Sequence, residues 1–533
     1  MAGGPNDPPP AALGGAGGTG GASGGSGGAT GGSGGATPVP DENRFRRPQL
    51  GPLLTADCQA LGVSAPADAE GGDCCGCLCA GALWSCSEDT CLDADGQVQE
   101  LAPEAGYIEV PGGEYSSAGE VRISPTHRVF YSFQPADDAP EERPLAVFFN
   151  GGPGAATTPY LMSLNTGPLT LDPERTGAAA IAENEHSFTR AYNLLYIDAP
   201  ATGFSYALPL ENGETPPLTM DLDRDAGLVN RVLLFFLRHH EGLRDNEVVL
   251  IGESYGGTRA VQMVRQLLVP ESLLDEESPY TDPTLYCALQ AHFAAGGQLG
   301  AGGEGGASNA GGAADVEFSD IAAQFGYLAL IQPYLLGTRQ NQGFAPDMSA
   351  CVLEPDPQQC DEPLSFNEAQ TTTLVERLLD PTNLELMLGT DPTTIAWLAP
   401  ELRHPAYAAE GESDVFVSAR SLGETVGREF TAIWSGVDFL VLFPYLEKTL
   451  ITVAHRDLSV DTLGIVRACK DFGLAVEEEP DEPASAARPG LVTITVDEKE
   501  GQLRMPHYET AGHMVTLREP GEFYEDVVEW MGK

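Results

Sequence analysis

Residues 248–257 read VVLIGESYGG, and the fold follows from them. Val248 to Ile251 form an unbroken apolar run, the pattern of a strand buried on both faces of a sheet. The run leads straight into Gly252, and a helical stretch, TRAVQMVRQLL, begins at Thr258. Strand, sharp turn and helix around G-x-S-x-G are the setting in which a serine Oγ is held exposed at the top of a sheet. The small residues on either side, Gly252 and Gly256, relieve the crowding of that turn. Ser254 is therefore the candidate nucleophile.

Working outward, the same texture recurs. PLAVFF (144–149) ends in NGGPG, and NLLYI (193–197) ends at Asp198-Ala199-Pro200. YIEV (107–110), RVFYSF (128–133), TLITV (449–453) and LVTITV (491–496) are further strand candidates. Helical periods cover Leu222 to Leu243 and Phe523 to Met531. Buried strands alternating with helices predict an α/β fold with a mostly parallel central sheet covered on both faces, over 103–533. YLALIQPYLL (327–336) is a candidate to rejoin the sheet. The segment from about 270 to 433 is read as a helical cap insertion, on FNEAQTTTLVERLLD, NLELML and TTIAWLAPELR. Within it, the Gly/Ala-rich stretch 291–314 is predicted to be a disordered loop.

The N-terminal part differs. Of the first 40 residues, 16 are Gly and 6 are Pro, and Asp7 alone is charged. Residues 1–47 have little to bury and are read as a flexible tether. Residues 48–102 form a cysteine-rich module, with seven of the 11 cysteines at Cys58, Cys74, Cys75, Cys77, Cys79, Cys86 and Cys91. That stretch has no His and no paired CxxC units, so disulfides are preferred to a metal site. Disulfides place the chain outside the cell, in the periplasm or tethered at a surface. The basic and apolar regions of a signal segment are not present in this chain, so the expectation is a processed one. Cys351 and Cys360 are the candidate pair for a further disulfide.

Charge narrows the partners. The chain has 78 acidic against 28 basic residues, a net charge of −50. Such a field repels phosphate backbones and anionic headgroups, which argues against nucleic acid and anionic membranes. There is no apolar run long enough for a transmembrane segment. The shortage of lysine (four in the chain) fits a salty environment, where ions screen self-repulsion, and fits an arginine-rich codon bias equally.

A serine nucleophile needs a base and an acid. His513, in the AGHMV loop between the last strand and the last helix, is the candidate base, with His507 as its local rival. His239 and His240 lie on an earlier helix and are expected to face solvent. The acid should follow a late strand, and TLITV is followed by AHRD, which makes Asp457 a candidate beside Asp461 and Asp438.

Four segments in order resemble the serine carboxypeptidase family of α/β hydrolases. They are FFNGGPG (148–154), NLLYIDAPATGFSY (193–206), IGESYGG (251–257) and GHMV (512–515). The resemblance implies an α/β-hydrolase fold. VAHRDLSVDTLG is similar to the family's stretch around its catalytic acid and assigns that role to Asp457. It further implies a catalytic set of Ser254, Asp457 and His513, and an oxyanion hole from the backbone N–H groups of Gly152 and Tyr255. Asn150 and Glu253 would bind the substrate's terminal carboxylate. No metal and no cofactor is implied. The partners implied are peptides or proteins with a free C-terminus; oligomeric state is not legible.

The chain also departs from the family pattern. Ala155 stands where a cysteine is common, Thr516 where a proline is usual, and His455 where the first acid of the acid motif stands. Asn165, in NTGP, stands where a second glutamate usually completes the carboxylate clamp, so an amide is expected there. Acyl transfer or ester hydrolysis on the same residues, and an inactive surface binding protein, are the alternatives to peptide hydrolysis.

Overall fold

The computed structural model describes residues 101–532, apart from 118–119, 209–220, 275–279, 296–317, 336–339, 341–373, 389–441, 481–488 and a few single positions. Before residue 101 it describes two short strands. The tether, the cysteines from Cys58 to Cys91 and the Cys351–Cys360 pair lie outside the described residues, as do Asp438 and most of the predicted cap.

Among the described residues, a 13-stranded sheet organises the fold. Its strands are β1 (Gln49–Leu50), β2 (Leu54–Thr55), β3 (Glu104–Val110), β4 (His127–Gln134), β5 (Leu145–Phe149), β6 (Asn193–Ile197), β7 (Val248–Glu253), β8 (Tyr327–Ile331), β9 (Lys448–Ile451), β10 (Ala475–Pro480), β11 (Pro489–Val496) and β12 (Lys499–Arg504), with Tyr206–Ala207 paired to β4. The order is β1-β3-β4-β6-β5-β7-β8-β9-β12-β11-β10, with β2 also on β3. The centre, β6 to β12, is parallel, and antiparallel strands flank it on both sides. This is the predicted α/β-hydrolase fold.

Burial on both faces explains the continuous apolar runs. Leu145, Val147 and Phe149 of β5 pack into one core, while Ala146 and Phe148 pack into another on the opposite face. The first core is closed by α1 (Leu222–His239), α2 (Tyr255–Leu268), α3 (Pro283–Ala295), α4 (Phe318–Phe325) and α5 (Leu463–Asp471). The second is closed by α6 (Pro520–Met531) and the helical turn Thr158–Thr166. Asp221 starts α1 by accepting from Arg224 N at 2.8 Å, and Asp223 and Asp225 add charge favourable to the helix N-terminus.

Three expectations change. β8 lies in the middle of the sheet, between β7 and β9, so 270–433 is not one insertion: β8, α3 and α4 belong to the core. Residues 291–295 close α3 and are not loop, while 296–314 of that predicted loop lie outside the described residues. The reason is that YCALQAHFAA carries enough apolar surface to dock a helix before the glycines begin. At the N-terminus, β1 and β2 run parallel to β3, with Gln49 opposite Glu104 and Leu54 opposite Ile108. The start of the cysteine-rich module is thus part of the sheet edge.

Candidate active site

The site sits beyond the carboxyl ends of the parallel strands, where such sheets leave a crevice. Asn150 follows β5, Ser254 follows β7, Asp457 follows β9 after a short Val453–Ala454 bridge, and His513 follows β12 and the His507–Tyr508 strand.

Ser254 has φ 55° and ψ −120°, a conformation that side-chain-bearing residues rarely adopt. The surrounding glycines permit it. A Cβ on Gly252 would collide with the Gly256 carbonyl, and one on Gly256 with the Phe149 carbonyl oxygen. The NGGPG turn is pressed against the elbow: a Cβ on Gly151 would lie 2.6 Å from the Glu253 carbonyl oxygen and 2.8 Å from Tyr255 N. Tyr255 is the first residue of α2, where a helix does not use its own N–H groups. Gly151 and Tyr255 N therefore lie side by side next to Ser254.

His513 Nδ1 and Asp457 Oδ2 are 2.8 Å apart; the carboxylate is fully buried and the imidazole 17% exposed. Asp457 Oδ1 also accepts from Val460 N at 3.2 Å. Among the described residues Ser254 Oγ has no hydrogen-bond partner. Such contacts are frequently long in an empty site and tighten with substrate. Burial lowers the His513 pKa, but the charge and hydrogen bond of Asp457, joined by Glu253, outweigh it and raise it to about 9.

Asp461 is occupied elsewhere: it accepts from Gly464 N at 3.0 Å at the start of α5 and pairs with Arg467. His507 bonds His455 at 3.0 Å. His239 and His240 are half-buried rather than solvent-facing, and His240 bonds Glu104 at 2.7 Å. His240 also stacks on Phe236, with ring centroids 3.9 Å apart.

Glu253 is 4% exposed. Oε1 accepts from Asn150 Nδ2 at 3.3 Å, and Oε2 is buried with no hydrogen-bond partner among the described residues. Burial raises its pKa to about 7; His513 opposes the rise and Asp457 adds to it. Asn150 is fixed on its other side, its Oδ1 accepting from Leu161 N at 3.1 Å. Asn165 has φ 66°, a left-handed conformation that asparagine tolerates better than glutamate. Its Nδ2 donates to the Thr516 carbonyl at 3.2 Å, three residues past His513. Sequence spacing could not reveal that contact, which joins residues 351 apart.

Residues 99–274 match the family model described as serine carboxypeptidase. Over that stretch the chain is similar to the serine carboxypeptidases. The matched stretch holds Asn150, Gly152, Asn165, Glu253, Ser254 and Tyr255, and stops before Asp457 and His513. Serine carboxypeptidase-like 44 of Arabidopsis thaliana is 27% identical over 190 residues, 35% of this chain and 37% of that protein. The venom serine carboxypeptidase of Apis mellifera is 32% identical over 162 residues, 30% of each chain. The chain thus spans about a third of the length of these curated relatives. Among solved structures, Kex1(delta)p, a prohormone-processing carboxypeptidase from Saccharomyces cerevisiae, aligns over 81% of this chain and 91% of its own, with 14% identity and a TM-score of 0.47.

Proposed function

We propose that the chain is a serine carboxypeptidase, releasing C-terminal residues from peptides through an acyl-enzyme. The observation that supports this best is Glu253, a buried carboxyl next to the nucleophile with one oxygen on Asn150 and the other unpaired. With a pKa of about 7 it holds a proton at mildly acidic pH and is about half protonated at neutral pH. A protonated carboxyl and an amide N–H are donors suited to a substrate's terminal carboxylate.

Ser254 Oγ attacks the carbonyl of the last peptide bond, and its proton passes to His513 Nε2. Asp457 accepts from Nδ1–H, holds the ring in that tautomer and stabilises the imidazolium. The N–H groups of Gly152 and Tyr255 receive the developing oxyanion, the term that dominates acyl transfer in a water-poor site. His513 then protonates the leaving amine, and water, activated by the same imidazole, releases the acyl group from Ser254. Asn165 steadies the segment after His513 at the rim of the clamp. Substrates are peptides or proteins with a free C-terminus. The cysteine density between Cys58 and Cys91 supports an exported chain.

A fluorophosphonate probe tests the nucleophile. It should label the protein on Ser254 and leave Ser254→Ala unlabelled. Labelling elsewhere, or none in the wild type, contradicts the proposal.

A further inference from the structure

Between α1 and α2, beside Tyr255, lies a buried ion pair. Arg259, on the second turn of α2, is only 2% exposed, among the largest fully buried side chains of the molecule. Its Nε donates to Asp225 Oδ2 of α1 at 2.7 Å. The same carboxylate oxygen accepts from Tyr255 OH at 2.9 Å. The Arg259 guanidinium lies 5.1 Å over the Tyr255 ring. Its Nη1 crosses the floor of the site and donates to the Asn150 carbonyl oxygen at 3.1 Å.

One guanidinium therefore holds both halves of the oxyanion site. Through Asp225 and Tyr255 it grips the residue after the nucleophile. Through the Asn150 carbonyl it grips the peptide that leads into Gly151 and Gly152. These two segments approach within van der Waals limits, since even a methyl on Gly151 would meet Tyr255 N at 2.8 Å. Packing sets how close they come but leaves their relative slide open. A directional bond from a planar, always charged group closes that freedom. Burying an arginine and an aspartate is costly in desolvation, and an apolar pair of similar volume would often be as stable. Fold stability alone is thus a weak reason for this arrangement.

We infer that Arg259, seated by Asp225, is a positioning residue that sets the spacing between the Gly152 and Tyr255 N–H donors and orients Asn150 for the carboxylate clamp. This rests on the proposed Ser254 chemistry. A misplacement of about 1 Å remote from the reacting atoms can cost on the order of a hundredfold in rate, so losing one tether is expected to be plainly measurable.

The test separates positioning from bulk stability. Arg259→Met combined with Asp225→Asn removes both charges, so neither is stranded, and leaves Tyr255 OH an acceptor. Arg259→Lys keeps a cation beside Asp225 but has no second nitrogen to reach the Asn150 carbonyl. Both are compared with wild type by melting temperature, by the second-order rate of fluorophosphonate labelling, and by the ratio of kcat/KM for a free-acid peptide to that for its C-terminal amide. The probe has no terminal carboxylate, so its rate reads the oxyanion donors; the ratio reads Asn150. The expected result is labelling slower by about tenfold or more in both variants and a smaller acid-to-amide ratio. Slow labelling in Arg259→Lys alone supports the inference even where the double variant does not fold. Labelling within twofold of wild type in either folded variant overturns it. Absence of Ser254 labelling in the wild type is a different failure: it removes the proposed function, and this inference with it.

Discussion

Asp457 and Asp461 have distinct partners, and single substitutions distinguish them. Asp457 is buried against the imidazole, whereas Asp461 caps Gly464 and pairs with Arg467. Asp457→Asn should lower kcat by on the order of a thousandfold or more with little change in melting temperature, since it leaves the imidazole in the wrong tautomer. Asp461→Asn should cost stability, about 1 kcal/mol as for a lost helix cap, and leave kcat within a few-fold. Steady-state kinetics with thermal denaturation of both variants checks the pair. Protons provide a second test at this scale. A base must be neutral, and Asp457 and Glu253 hold His513 protonated up to about pH 9. The rate of fluorophosphonate labelling should therefore rise with pH towards that value. Glu253→Gln removes a negative charge beside the imidazolium, weakens its hold on the proton and should move the rise to lower pH. For free-acid peptides a second limb is expected, because Glu253 loses its donor proton above about pH 7 and then repels the substrate carboxylate. A labelling profile unaltered by Glu253→Gln contradicts the coupling.

The elbow between β7 and α2 is the element on which the site depends, and it was the part most legible in the sequence. VVLIG and LAVFF are apolar without interruption because both of their faces are buried, and G-x-S-x-G follows from backbone contact. Gly256→Ala tests that contact. In a helix, alanine ordinarily gains about 1 kcal/mol over glycine. Here the new methyl would strike the Phe149 carbonyl, so the sign should reverse, with a loss of about 1–3 kcal/mol and a lower melting temperature. A more stable Gly256→Ala protein would show that the two segments can part. Elements with one wet face were harder to read. β10 (AVEEEP) is an acidic edge strand and β12 (KEGQLR) alternates weakly, so neither stood out from a loop. β8 was seen as an apolar run, but its place between β7 and β9 depends on partners distant in sequence. The Arg259–Asp225 pair and the Asn165–Thr516 contact were invisible for the same reason: spacing along the chain carries no record of which helix lies behind a turn.

At the scale of the molecule, the sheet edge joins the catalytic region to the segment before it. β1 and β2 cover part of β3, whose exposed backbone would otherwise be open to pairing with other chains. Protein starting at residue 103 should still label on Ser254 but aggregate more readily than protein starting at residue 48; light scattering at matched concentration compares them, and equal solubility would show that the cover is dispensable. Among the described residues no helix is long and apolar enough to cross a membrane. The net charge of −50 adds a long-range cost to any second negative group entering the site, so the proposed function requires that a substrate carboxylate be compensated locally, by Asn150 and a protonated Glu253. That requirement gives the most direct measurement of all. Pairs of peptides identical except for a free or amidated C-terminus are incubated with the protein near neutral pH, and products are followed by mass spectrometry. Stepwise loss of C-terminal residues from the free acids is expected, with kcat/KM for the amides lower by about tenfold or more, as for a site built to pair a group the amide lacks. Equal rates for acid and amide, or cleavage only at internal bonds, would contradict it.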